Sequence, residues 1–285
     1  MSEMFELRAT SSGVDLVVTG SWSAAADDAV RSGKADGLVL NYALGYRERT
    51  LDFLYGLPLR RVEILARTLK DPTPLYSLGA TLEQLRVQIG ADRIDLRQLP
   101  HLRQLSAHWS QISETLATCG VLEYLLVLGY GGVDLTPLVE NTRLETFVAK
   151  DRSAVKTLSG VESLGSLRHL DLSLSGVSDL TPLAEVSLLR VAEFESCGGI
   201  YDLSPLGTLT HLTAVNFSDC GPVESVRPLG LATGLQQIEM WGTTVVEDGD
   251  LVPIASLPEL KVLRMRDRKH YAPQPSAIQV SIGDL

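Results

Sequence analysis

Five histidines and three cysteines are the side chains of this sequence best suited to chemistry. They are His101, His108, His169, His211 and His270, with Cys119, Cys197 and Cys220. A zinc site needs three or four such ligands around one ion, usually announced by closely spaced pairs. No Cys-x-x-Cys occurs, and no histidine stands near Cys197 or Cys220 in the chain. Nucleophilic or phosphate chemistry would show as G-x-S-x-G, H-E-x-x-H or a Walker loop, and none is present. Gly129-Tyr130-Gly131-Gly132 has the glycine content of a phosphate cradle. A phosphate loop, however, leads into a long helix whose N-terminus holds the anion, and no such helix is expected here. The residues therefore predict no enzyme, no cofactor and no metal, and attention passes to the framework that would carry a binding surface.

The totals restrict that framework. The chain has 285 residues, 45% hydrophobic and 21% charged, so it is globular rather than disordered. Its 35 acidic and 25 basic side chains give a formal charge of -10, which argues against nucleic acid as a partner. The opening MSEMFELRATSSG lacks the basic and apolar regions of a secretion signal. No apolar run approaches the roughly 18 residues of a membrane span. An odd number of cysteines without such a signal predicts reduced thiols and a cytoplasmic location. Low lysine against arginine, with much alanine, leucine and valine, suggests a bacterial source.

A repeat supplies the framework. L-x-x-L-x-L fits at Leu59-Val62-Ile64, Leu82-Leu85-Val87, Leu102-Leu105-Ala107, Leu122-Leu125-Val127 and Leu144-Phe147-Ala149. It continues at Leu167-Leu170-Leu172, Leu189-Ala192-Phe194, Leu212-Val215-Phe217, Leu235-Ile238-Met240 and Leu260-Leu263-Met265. All these anchor positions are apolar, where composition alone would make about half of them so, and an incomplete copy lies at Leu38-Val39-Leu40. Successive first leucines are 20 to 25 residues apart. Pro137, Pro182, Pro205, Pro228 and Pro253 each precede a first leucine by seven residues. Proline cannot sit in a paired central strand, so it marks the return path. Thr136, Thr181 and Ser204 precede three of these prolines and are expected to cap a short 3₁₀ turn there.

Period, anchors and proline phrase together resemble the short leucine-rich repeats of bacterial internalins and of a eukaryotic phosphatase-regulating relative. The resemblance runs from about Ala35 to Arg268. It implies an α/β, β-rich solenoid: a right-handed superhelix with a parallel β-sheet on the concave face and short 3₁₀ turns or loops on the convex face. The family's inward Asn, three residues after the third anchor, is missing. That position holds Arg67, Gly90, Ser110, Tyr130, Arg152, Ser175, Cys197, Cys220, Thr243 and Arg268. Cys197 and Cys220 thus occupy equivalent places in adjacent units, as buried reduced thiols or, alternatively, as a disulfide between rungs.

A single 22-residue unit cannot bury its own apolar row, so units must stack and the ends need covers. Residues 1–34 are expected to form an N-terminal cap, with a β-hairpin over residues 4–20 turning at Ser-Ser-Gly. Ser23 would then cap a helix running to about Arg31. Repeats occupy 35–269. Residues 270–285 make a C-terminal cap, in which the alternating Ile278-Gln279-Val280-Ser281-Ile282 predicts a closing edge strand.

The residues between anchors face outward. They predict an apolar, aromatic zone of Trp109, Tyr124, Leu126, Leu128, Tyr130 and Val148. An acidic stretch follows, Asp171, Glu193, Glu195, Asp219 and Glu239, with Trp241 beside it. Arg264, Arg266 and Arg268 then make the last complete strand basic. His108 and His169 also face outward, but about three rungs or roughly 14 Å apart, too far to act together. Aromatic anchors flanked by charge suit a protein interface. The expected function is a non-enzymatic scaffold holding a protein partner with a basic and apolar surface, such as an immunity or inhibitor protein or an accessory subunit. The alternative is a regulatory or substrate-peptide-recognition subunit of a phosphatase or other modifying enzyme. Two readings compete with the site itself: acids that are merely solvated, and an apolar zone covered by the cap or a loop.

Overall fold

The computed structural model describes residues 4–283, which divide into two compact units after Val127. The first unit opens with an antiparallel hairpin, β1 (Phe5–Thr10) and β2 (Gly13–Val18). Helix α1 (Ala24–Arg31) follows, and the Ser23 side chain accepts a hydrogen bond from the Ala26 N–H at its start. Parallel strands then succeed one another as β3 (Gly37–Asn41), β4 (Arg61–Ala66), β5 (Gln84–Ile89), β6 (Gln104–His108) and β7 (Tyr124–Leu128). One turn of helix, α2 (Trp109–Ile112), leaves β6. Burial alternates strictly along β4, inward at Val62, Ile64 and Ala66, as a one-sided sheet requires.

The second unit carries parallel strands β8 (Thr146–Lys150), β9 (His169–Asp171), β10 (Val191–Glu193) and β11 (Ala214–Asn216). Two-residue β12 (Pro222–Val223) pairs with β14 (Val245–Val246) in a small separate sheet. Between and after them β13 (Gln237–Met240) and β15 (Val262–Met265) continue the main order β11-β13-β15. A turn of helix, α3 (Val252–Ala255), separates β14 from β15. All the anchors of the ten complete sequence copies are buried. Phe194 and Phe217, third anchors of adjacent copies, stack with centroids 5.7 Å apart.

The proline phrases form 3₁₀ turns at Thr136–Leu138, Thr181–Glu185, Ser204–Thr208 and Arg227–Leu231, while Pro253 opens α3. Their capping differs from expectation. Thr136, Thr181 and Ser204 supply N–H donors, and Asp134, Asp179 and Asp202 accept them at 3.0, 2.8 and 2.7 Å. Asp250 serves Val252 in the same way. A carboxylate two residues upstream reaches the first free N–H of the turn, which a Thr inside the turn cannot do. These bonds to Thr181 hold the Asp179 carboxyl below the usual range.

After the third anchors Val127, Ala149, Leu172, Phe194, Phe217 and Met240 the chain turns through a left-handed residue two positions on. Asp151, Leu174, Ser196 and Asp219 adopt φ of 57 to 64°, and Gly129 and Gly242 occupy the equivalent places. This turn sends the next residues inward. Cys197 Sγ donates to the Leu172 carbonyl at 3.3 Å and Cys220 Sγ to the Phe194 carbonyl at 2.9 Å. Thr244 Oγ1 donates to the Phe217 carbonyl at 2.5 Å and accepts from the Cys220 N–H at 2.9 Å. A ladder of side chain to backbone bonds therefore exists without asparagine. In the copy from Leu235 the residue is Thr244 rather than Thr243. Cys119, Cys197 and Cys220 are all buried, and among the described residues no disulfide joins the rungs.

The expected closing strand is instead a helix, α4 (Pro275–Gly283), packed against β15. Asp267 accepts from the Ser276 N–H and hydroxyl at 2.9 and 2.7 Å, and Gln279 Nε2 donates to the Leu263 carbonyl at 2.8 Å. Ile278 and Ile282 lie four residues apart, a spacing that fits a helix face as well as a strand. Only Ile278 of that alternating run is buried.

Candidate protein-binding faces

In the first unit the outward side chains of β3 to β7 border a recess of about 410 Å³, lined in part by Gln84, Gln104, Ser106, Tyr124 and Leu126. Tyr124 and Leu126 are half-buried there, as is Trp109 at the start of α2. Arg61 forms one wall. Its guanidinium donates to Asp15 Oδ1 at 3.0 Å, Asp36 Oδ2 at 2.7 Å and the Ser12 carbonyl at 2.7 Å. It is only 11% exposed and ties the hairpin to β4, and its hydrogen bond holds the Asp36 carboxyl below the usual range. Other charges on or next to these strands neutralise one another in pairs, Glu63 with Arg86 and Arg103 with Glu123.

The second unit corrects three of the expected surface residues. Tyr130 is 1% exposed, its ring lies edge-on to Phe147, and its hydroxyl donates to the Asp134 carbonyl at 2.8 Å. The left-handed Gly129 directs it inward. A Cβ at Gly132 would come 2.7 Å from the Tyr130 ring, so part of the glycine-rich run makes room for an aromatic side chain. Val148 is 6% exposed and Asp171, its register partner on β9, is 2% exposed. The Lys150 ammonium pairs with Asp171, and the Ser173 N–H and hydroxyl donate to the same carboxylate. Asp171 is therefore consumed internally. Leu128 is half-buried.

The remaining acids differ in how fully they are engaged. Glu193 Oε2 lies 3.2 Å from His169 Nε2, and Glu239 takes Arg264 at 3.2 Å and Gln237 at 2.6 Å. Glu195 and Asp219 are exposed and make no ion pair among the described residues. Both line a recess of about 450 Å³ with Asn216, Ser218, Glu239, Trp241, Arg264 and Gln279. Trp241 is 48% exposed, and the Arg266 guanidinium carbon sits 4.7 Å from its ring centroid. The indole thus already accepts a cation on its face. Asp219 occupies a left-handed conformation and accepts the Thr243 N–H at 2.9 Å, which fixes its carboxylate beside that recess.

Leu174, absent from the expected surface zones, is 52% exposed in a left-handed conformation. Only its equivalence to Gly129 and Gly242 two residues after a third anchor could have revealed it. The thiols are poorly suited to chemistry. Burial pushes Cys119 up to about 11 and Cys220 up to about 12, and raises Cys197. Among the described residues no group of three His, Cys, Asp or Glu side chains is arranged to hold a metal ion. No helix among them is long and apolar enough to cross a membrane.

No protein-family model and no curated protein matches the sequence. Solved structures do match. An internalin (inlF) of Listeria monocytogenes aligns with a TM-score of 0.63 at 21% identity, covering 83% of this chain and 69% of that one. The fold is that of a leucine-rich-repeat solenoid. An internalin C2 (inlC2) of the same organism aligns with a TM-score of 0.53 at 24% identity, over 63% of this chain and 80% of its own. These leucine-rich-repeat neighbours share parallel strands joined by short turns with this chain, and at such identities the likeness concerns the fold.

Proposed function

We propose that this leucine-rich-repeat protein is a non-enzymatic scaffold that grips a protein partner through the sheet face of its second unit. The observation that carries this reading is the recess containing Trp241, Glu195 and Asp219. An exposed indole, already in contact with Arg266, beside two carboxylates without ion pairs suits an arginine or lysine side chain that the carboxylates hold by charge and that stacks on the indole beside or in place of Arg266. The partner is thus a protein with a basic segment, and the scaffold acts as an inhibitor, an immunity protein or an accessory subunit. Buried thiols outside any disulfide agree with a reducing, cytoplasmic setting.

Selection of random peptides displayed on phage tests this directly. Peptides retained by the wild type should be enriched in arginine or lysine. They should lose most of their affinity for Glu195→Lys/Asp219→Lys, with a steep dependence on salt. Peptides with no basic bias, or equal binding to both proteins, would refute the proposal. The first unit favours the second reading, recognition of an extended substrate peptide. There Gln84, Gln104 and Ser106 offer side-chain hydrogen bonds along one recess beside the Tyr124 ring.

A further inference from the structure

We propose that two copies of this chain associate through β1, strand against antiparallel strand, about a two-fold axis at Leu7. β1 ends the strand order, and among the described residues β2 is its only strand neighbour. The Thr19 N–H donates to the Met4 carbonyl at 2.9 Å, in line with the β1–β2 register. In an antiparallel pair the N–H and C=O of one residue point the same way and alternate along the strand. Glu6, Arg8 and Thr10 therefore bond toward β2, while Phe5, Leu7 and Ala9 direct their backbone groups away from it. Such an edge is a template for another strand.

The side chains specify which strand. Leu7 stands opposite Leu16, and Phe5 opposite Val18, so this side of β1 extends the buried row of β2. Yet Leu7 is 47% exposed, in a recess whose lining mixes Phe5, Ala25 and Ala29 with the charged Glu6, Asp28 and Lys34. Glu6 and Arg8 occupy the other side of the strand and bond each other at 2.6 Å. A second β1 paired about Leu7 places Leu7 against its own copy and Phe5 against Ala9 of the other chain. All three outward-pointing residues then bond reciprocally, giving about six inter-chain hydrogen bonds. The same register sets Glu6 opposite Arg8 in both symmetric positions. Moving the axis to Glu6 or to Arg8 would oppose like charges, which is unfavourable. Self-complementary charge and the unfinished apolar row thus point to the same register.

Sedimentation velocity from low micromolar to several hundred micromolar protein tests the pairing. Wild type should pass from monomer to dimer. Glu6→Arg and Arg8→Glu should each weaken dimerisation about tenfold, since two attractive pairs become repulsive. The double exchange Glu6→Arg/Arg8→Glu should restore it. Ala9→Pro removes an N–H that points away from β2, so the hairpin should fold while the dimer is lost. Circular dichroism melting of each variant separates folding from association. A wild type that stays monomeric throughout would overturn the proposal. So would a dimer indifferent to Ala9→Pro, or an exchange variant no better than its single parents.

Discussion

Thr244→Val isolates the ladder from the packing around it. The replacement keeps the β-branched shape and removes only the hydroxyl. That hydroxyl donates to the Phe217 carbonyl at 2.5 Å and accepts from the Cys220 N–H at 2.9 Å. Thr244 is 3% exposed, so water cannot readily replace either bond. Leaving a buried polar group unpaired costs about 1–3 kcal/mol, so two cost roughly 2–6 kcal/mol. The additional buried methyl returns less than about 1 kcal/mol. The expected net loss is therefore about 1–6 kcal/mol, centred on ~3 kcal/mol. Urea unfolding followed by far-ultraviolet circular dichroism measures it. With a slope of about 3 kcal/mol per molar, the midpoint should fall by roughly 1 M. Thr244→Ser retains the hydroxyl and should recover most of the loss. Thr243→Val, at the exposed neighbouring position, should stay within about 0.5 kcal/mol of wild type. A Thr244→Val midpoint equal to wild type, or equal damage from Thr243→Val, would refute the ladder.

Three further outcomes follow from named contacts. Asp134→Ala removes the acceptor for the Thr136 N–H and hydroxyl and should cost about 1 kcal/mol, read as a lower urea midpoint. Arg61→Met leaves Asp15 and Asp36 without their shared guanidinium and should cost about 2–3 kcal/mol at neutral pH. Because Arg61 lowers the folded-state value of Asp36, that contribution is present above the unfolded aspartate range near pH ~4. It is lost as pH falls through the folded value, so the gap between variant and wild type should narrow in acid. The thiol reagent DTNB at neutral pH should leave Cys119, Cys197 and Cys220 unmodified in the native protein and titrate all of them in denaturant. Rapid stoichiometric labelling without denaturant would show that the ladder opens readily.

Local pattern made the repeat legible. Each anchor is fixed by its own spacing, and burying a leucine needs only an apolar neighbour on either side. The proline phrase was equally readable, since the missing N–H acts at its own position whatever surrounds it. The outward face was read less accurately. Its outward register holds at Glu195 and Trp241, while Asp219 is exposed through its left-handed turn; Asp171 and Val148 also alternate outward and are nevertheless buried. Alternation gives the direction of a side chain and says nothing of whether Lys150 on a neighbouring strand will reach across to it.

The sequence by itself determined the repeat length, the inward anchors and the places where the chain must leave the sheet. These are properties of a few consecutive residues and their steric limits. Tertiary structure decided which polar atoms meet. It chose Asp134 over Thr136 as the turn acceptor, Thr244 over Thr243 as the rung, and a helix at Pro275–Gly283 where alternation suggested a strand. Hydrogen-bond partners are set by distance and angle within a few tenths of an ångström, often between residues more than twenty positions apart. One-dimensional spacing does not carry that geometry. The stacked units supply it by holding each carbonyl where the next copy's side chain arrives.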